Sequence, residues 1–287
     1  MNTIIEQMLA AYEGPLQSNE RLIVKEIVQE MVLCGLSRAG FFKEAAFYGG
    51  TALRMFYRLD RFSEDLDFSL RTKNERFDLN VFLPTLAKEM ASFGLNVDVS
   101  KKVKNADSHI QSAFLKGNTQ EHLLLFYGDE MLSRVHADEK IRIKFEVDTN
   151  PPDFARFEYR YRLLPSPYEI ALYDPPSLFA GKIHAVLCRA WRSRIKGRDL
   201  YDYVFFLARR TPVNVAHLRS RLEQSGYLQH GTALSLAELK RHLAERFDAI
   251  DFVQAKSDIV PFIRDDASLR LWSADFFKQI TAQLTAV

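Results

Sequence analysis

Apolar residues along this chain follow two rhythms. From about Ser18 to Leu36, Ile23, Ile27 and Met31 recur at i, i+4 and i+8, which predicts an amphipathic helix with Ser18 as its N-cap and Gly40 marking its end. Glu44 to Tyr48 is a short apolar run that stops at Gly49-Gly50, after which Leu53, Phe56 and Tyr57 return to helical spacing over Thr51 to Leu59. Strand, glycine turn and helix follow one another there. Leu66 to Leu70 alternates apolar and polar positions as a half-buried strand does, and Val81 to Phe93 predicts a helix stopped by Gly94. Val97 and Val99 mark another strand, with further candidates at Ile110 to Leu115 and Glu121 to Tyr127. The clearest alternation runs from Ile141 to Asp148. Ile141, Ile143, Phe145 and Val147 line one face and Arg142, Lys144, Glu146 and Asp148 the other, until Pro151-Pro152 ends the strand. From about Pro165 the period becomes helical. An Asp174-Pro175-Pro176-Ser177 turn and N-cap precede helices over Leu178 to Trp191 and Asp199 to Arg209, and a small helical bundle completes the chain. The pattern places a boundary near residues 165 to 175, between a sheet-bearing segment 1–170 and a helical segment 171–287.

Composition changes this picture little. With 287 residues, 47% of them hydrophobic and 26% charged, the chain has a globular balance that excludes disordered, collagen-like and rod-like classes. No apolar run approaches the roughly 20 residues of a membrane helix. The first residues lack the basic, apolar and small-residue regions of a secretory signal, so a cytoplasmic protein is expected. Cys34 and Cys188 lie far apart in apolar helical contexts, the setting of buried thiols and not of a disulfide framework or zinc site. Lys and Arg together number 39 against 37 Asp and Glu, which leaves +2, so any polyanion site must be local.

Two segments carry candidate chemistry. In the first, Tyr48-Gly49-Gly50-Thr51-Ala52-Leu53-Arg54 is followed by Arg61-Phe62-Ser63-Glu64-Asp65-Leu66-Asp67-Phe68. Asp65 and Asp67, one residue apart on a strand, point to the same face roughly 6 to 7 Å apart. Their mutual repulsion is relieved by a hard divalent cation such as Mg²⁺, which needs only one or two protein carboxylates and completes its octahedron with water and substrate phosphates. Gly49 and Gly50 let backbone N–H groups approach a phosphate at the start of the Thr51 helix, where the dipole favours an anion. The polar face of Ile141 to Asp148 offers Glu146 or Asp148 as a third carboxylate. In the second segment, eight Lys and Arg residues between Lys182 and Arg210 meet only Asp199 and Asp202. Lys182 and Arg189, seven apart, share a helical face, with Arg192 following at i+3. Such a stripe suits triphosphate oxygens or an RNA backbone.

The combination resembles the GG/GS…D-x-D signature of the DNA polymerase β-like nucleotidyltransferase superfamily. More closely, GGTALRMFYRLDRFSEDLDFSL resembles the first motif of the AbiEii/AbiGii toxin family, and Lys182-Ile183-His184-Ala185, Arg189 and Lys196-Gly197-Arg198-Asp199-Leu200-Tyr201-Asp202 resemble its second. The resemblance implies an α+β fold with a mixed sheet flanked by helices, followed by a helical C-terminal domain. Ile143-Lys144-Phe145-Glu146 is similar to the family's third-carboxylate strand, which favours Glu146 over Asp148. It implies that Lys182 and Asp199 are needed for activity, and that Ser63 contacts phosphate or accepts one, although a turn or cap role for Ser63 is simpler. Gly181 departs from the pattern, since many relatives carry a larger polar residue there. His184 points away from Lys182 and reads as packing or surface.

The expected function is an NTP-dependent transferase that releases pyrophosphate. Asp65, Asp67 and Glu146 would hold Mg²⁺ or Mn²⁺, and Gly49, Gly50, Thr51, Arg54, Arg61, Ser63 and Lys182 would bind the nucleotide. Arg189, Arg192, Arg194, Lys196 and Arg198 would contact the acceptor. The resemblance implies a toxin of a toxin–antitoxin or phage-defence pair with a cognate antitoxin and tRNA as the acceptor. The alternatives are nucleotide transfer to a protein or small molecule, and a catalytically degenerate module that binds an antitoxin or RNA.

Overall fold

Helices α1 (Thr3–Ala10) and α2 (Glu20–Arg38) lead into strand β1 (Ala45–Tyr48) and helix α3 (Gly49–Tyr57) in a computed structural model that describes residues 3–10, 20–101, 119–127, 141–189 and 195–287. Strand β2 (Leu66–Leu70), helix α4 (Leu83–Ser92), strands β3 (Asn96–Lys101), β4 (Thr119–Tyr127), β5 (Ile141–Asp148), β6 (Phe157–Arg162) and β7 (Tyr168–Tyr173) follow. Helices α5 (Pro175–Cys188), α6 (Gly197–Ala208), α7 (Val215–Gln224), α8 (Leu236–Asp248), α9 (Phe252–Ile259) and α10 (Ala274–Thr281) complete the order. Gly40 and Gly94 sit just past α2 and α4 with φ of 81° and 78°, the left-handed stops that the sequence suggests. Asp174 caps α5 by accepting from the Ser177 N–H at 2.9 Å. Ser18 and the strand candidate at Ile110 to Leu115 lie outside the described residues.

The seven strands form one mixed sheet in the order β3-β4-β5-β2-β1-β7-β6. β1 pairs with β2 antiparallel and with β7 parallel, while β2 runs parallel to β5. One face is aromatic and buried. Phe47, Phe68 and Phe145 stand side by side on neighbouring strands, with centroids 5.1 and 4.7 Å apart, and Phe41 meets Phe68 edge-on at 5.0 Å. This face packs against α2, and α4 packs on α2 in turn. The opposite face carries Tyr48, Asp67 and Glu146 at facing register positions.

The pattern read from the sequence missed β6 and β7. The helical character assigned from Pro165 instead begins at Pro175, after β7 has entered the sheet beside β1. Ile170, Ala171, Leu172 and Tyr173 are all buried, because a strand covered on both faces loses the alternation that marks a half-exposed one. The helices α5 to α10 continue the same hydrophobic core, which runs without a break from Ile5 to Leu284. Among the described residues, no helix is long and apolar enough to cross a membrane. Cys34 is buried, and Cys188 is partly buried; both are free.

Candidate active site

The site is built where β1 ends and β2 begins. Tyr48 is extended, Gly49 turns the chain with φ 87°, and α3 starts at once. A Cβ at Gly49 would lie 2.4 Å from Asp67 Oδ2, so the glycine is required both by its backbone angle and by the carboxylate against it. A Cβ at Gly50 would stand 2.8 Å from both Ser63 Oγ and Arg61 Nη2. The buried Thr51 hydroxyl donates to the Asp65 carbonyl. Helix start, serine loop and acidic strand are thereby locked together. Replacing Gly49 with Ala is expected to cost about 1–2 kcal/mol for the left-handed backbone alone. It should also abolish activity by displacing Asp67, and a urea melt with a parallel transfer assay separates the two losses.

Asp67 faces Glu146 across the parallel β2–β5 pair. Their carboxyl groups are hydrogen-bonded, and burial first, then the negative charges of Glu146 and Asp65, push Asp67 up to about 7. Asp65, in the loop entering β2, is also raised by burial, with Lys144 and Lys25 opposing. Lys144 pairs with Glu146. Among the described residues, no three His, Cys, Asp or Glu side chains are arranged to hold a metal ion by themselves. Asp67, buried and raised, nonetheless forms with the facing Glu146 a donor set that a hard cation would satisfy, with water and phosphate supplying its other ligands. Asp148, the alternative third carboxylate, lies two residues further along β5 opposite Ser69, where burial raises it and Arg221 and the Asn150 N–H oppose. Glu146 is the one set against Asp67.

Lysines approach this acidic centre from four elements. Lys182 on α5 opposes the rise of Asp67, Lys25 on α2 and Lys144 on β5 oppose that of Asp65, and Lys196 before α6 is itself influenced by Asp65. Lys182 Nζ is braced by Asp202 Oδ2 at 2.7 Å. Asp202, fully buried, also accepts from Arg61 Nε at 2.7 Å and Nη2 at 2.6 Å. Arg61 is therefore not open to a triphosphate. It and Asp202 form a buried bracket that aims Lys182, a role not assigned to Asp202 from sequence. The partners lie 141 residues apart, and the only local signal was that Asp199 and Asp202 recur at i, i+3 on one helix. Arg54, also expected at the nucleotide, instead bonds Glu26 at 3.0 Å and the Leu59 carbonyl at 3.1 Å, with its guanidinium 4.7 Å above the Phe62 ring.

The basic stripe does not continue as one helical face. α5 ends at Cys188, and Arg189 is extended at ψ 122°, so its guanidinium turns to Asp199 Oδ2 at 2.6 Å. Asp199 lies buried in the first turn of α6, where the helix dipole favours it; the N-cap is Lys196. Arg198 stacks 4.4 Å over Phe262. Trp191, Arg192 and Arg194 lie outside the described residues. His184 is buried, which favours packing, and burial drives its imidazole well below the usual value.

Over residues 32–279 the sequence matches the profile of a family described as the nucleotidyl transferase AbiEii toxin of a type IV toxin–antitoxin system. A solved Helicobacter pylori structure described as a nucleotidyltransferase superposes with a TM-score of 0.50 at 17% identity, covering 92% of this chain and 94% of that one, and shows a shared fold. A second Helicobacter pylori chain reaches a TM-score of 0.48 at 17% identity, covering 92% of this chain and 91% of that one. No curated protein matches the sequence.

Proposed function

The chain belongs to the AbiEii family of nucleotidyltransferase toxins, and from that premise we propose that it transfers a nucleotide from an NTP to tRNA, using Asp65, Asp67 and Glu146 around a divalent ion. The observation that carries this is the pairing of Asp67 with Glu146 beside a glycine turn that opens a helix. Mg²⁺ or Mn²⁺ held there would neutralise the carboxylates and act as the Lewis acid on phosphate oxygens. The first N–H groups of α3, those of Gly49, Gly50 and Thr51, would cradle phosphate, with Ser63 beside them. Lys182, aimed by the Arg61–Asp202 bracket, sets a positive charge against the triphosphate. Glu146 would complete the acidic set either as a metal ligand or as the base that takes the proton of the attacking hydroxyl. In this reading the segment 1–170 binds nucleotide and metal, while 171–287 supplies Lys182, the Asp199–Arg189 pair and Asp202, which reaches across to Arg61 of the first segment. Lys196 and Arg198, with Arg189, flank the approach of the acceptor. The family implies an antitoxin partner, and action in phage defence is part of the proposal.

The test is incubation with Mg²⁺, each NTP labelled at its α-phosphate, purified tRNA and cellular protein. Label entering RNA, and none with Asp67→Ala, is the expected result. Label entering protein overturns the acceptor, and transfer that survives EDTA overturns the metal.

A further inference from the structure

The edge strand β6 carries aromatic residues at alternate positions, and they lie on the same face of the sheet as the carboxylates. Phe157 faces Tyr173 across β6–β7, Tyr173 stacks on Tyr48 at 5.4 Å, Tyr48 faces Asp67, and Asp67 faces Glu146. Glu158, Arg160 and Arg162 point the other way, bonding Tyr57, the Phe56 carbonyl and Glu30. Tyr159 and Tyr161 are 50% and 72% exposed, so their rings are open to a ligand, and the Tyr161 hydroxyl bonds Glu169 across β6–β7. Arg71, in the loop after β2, holds its guanidinium 5.3 Å from the Phe157 centroid and 5.8 Å from that of Tyr159. Arg71 is exposed, as is nearby Lys43, and neither makes an ion pair among the described residues. A cleft of about 610 Å³ runs alongside, between Arg71, Phe157, Asn150 and Gln224.

Resting on the reading of RNA as the acceptor, we propose that this aromatic and cationic face of β6 with Arg71 is a platform for a single-stranded segment of that RNA. Rings at alternate strand positions stand about 6.6–6.8 Å apart, twice the stacked-base repeat of about 3.4 Å, so they suit bases that are splayed and stacked on protein. Arg71 meets the phosphates between them, already oriented by the rings it lies on. An apolar protein partner would instead bury this guanidinium without a counter-charge, which is costly. β6 lies three strand spacings from β2, with Phe157 level with Asp67 and Tyr159 and Tyr161 two and four residues further along, so an RNA segment anchored on them spans about 15–20 Å to bring a hydroxyl to the carboxylates.

The experiment uses the full chain and a fluorescein-labelled single-stranded oligoribonucleotide, read by anisotropy at two salt concentrations. Tyr159→Ala with Tyr161→Ala is expected to weaken binding at least tenfold, on the scale of stacking losses per base. Arg71→Ala should weaken it several-fold and lower the salt slope by about one. All three positions are exposed, and an unchanged melting temperature verifies folding. Wild-type affinity in both folded variants overturns the platform. So does a wild-type dimer, seen by sedimentation, that these variants dissolve without changing RNA affinity. If label moves into tRNA while the variants keep wild-type KM for it, the platform falls and the transferase reading stands. If label moves into protein while oligonucleotide binding still depends on these residues, the acceptor reading falls and the platform stands.

Discussion

Asp67→Asn is expected to lower nucleotide transfer by roughly 10²–10³-fold or more while making the metal-free protein more stable. The activity loss has the scale of removing a group that stabilises charge in the transition state. The stability gain follows from the same carboxyl. Asp67 lies in the second position of β2, facing Glu146, and is pushed up to about 7 from an ordinary carboxylate value of 3.8. A folded-state value above the unfolded one means that the native protein holds more protons between about pH 4 and pH 7. Stability is therefore lost as pH rises through that window and levels off above it. At 1.36 kcal/mol per unit the ceiling is about 4 kcal/mol, and relaxation of the coupled pair brings the expected gain at pH 8 to about 1–3 kcal/mol. Thermal melts in EDTA across pH 4 to 8 should show a falling curve for the wild type and a flatter one for the variant. Mg²⁺ should then raise the wild-type melting temperature and leave that of the variant nearly unchanged. A variant that melts lower than wild type at pH 8 in EDTA would mean that the carboxylates are not strained in the absence of metal. Ions that merely screen surface charge would stabilise both proteins alike.

The parts of the fold and site that were legible in the sequence are those written in consecutive residues. The turn at Gly49-Gly50, the strands at Leu66–Leu70 and Ile141–Asp148, and the Asp174 cap depend on local backbone and period, and each is found where the pattern puts it. The family resemblance likewise rested on short motifs, and the match over residues 32–279 extends it to most of the chain. What the pattern lacked depends on contacts between distant residues. β7 is buried on both faces, and β6 alternates aromatic and charged residues without an aliphatic stripe, so neither shows the signal of a half-exposed strand. The roles suggested for Arg54 and Arg61 came from proximity in sequence to the glycine turn. Proximity in space sends them to Glu26 and Asp202, because a guanidinium that enters a core must find a carboxylate there. The stretch from Lys182 to Arg210 carries eight bases and two acids. Its acids, however, are not diluted among the bases but paired with particular ones, Asp199 with Arg189 and Asp202 with Lys182 and Arg61.

Asp202→Ala is expected to destabilise the protein by about 3–5 kcal/mol, the cost of leaving a buried cation without its partner. Asp202 has no exposed side-chain surface and Arg61 only 3%, so water cannot replace the lost bonds at 2.7 and 2.6 Å. For a chain of this size the melting temperature should fall by roughly 10 °C. Arg61 and Lys182 hold the Asp202 carboxyl below its ordinary value against the effect of burial. The stabilisation is thus present at neutral pH and is lost only as pH falls through that depressed value, the opposite of the trend at Asp67. Folding and catalysis can be separated with the double variant Arg61→Met, Asp202→Leu, which replaces the buried pair by apolar groups and should recover much of the lost stability. It should not recover activity, because Lys182 has lost the carboxylate that holds its ammonium at 2.7 Å and would no longer be aimed toward Asp67. A double variant that is both stable and fully active would show that Lys182 needs no bracket. One that is stable and impaired chiefly in KM for NTP would place the contribution of Asp202 in positioning the lysine that meets the triphosphate.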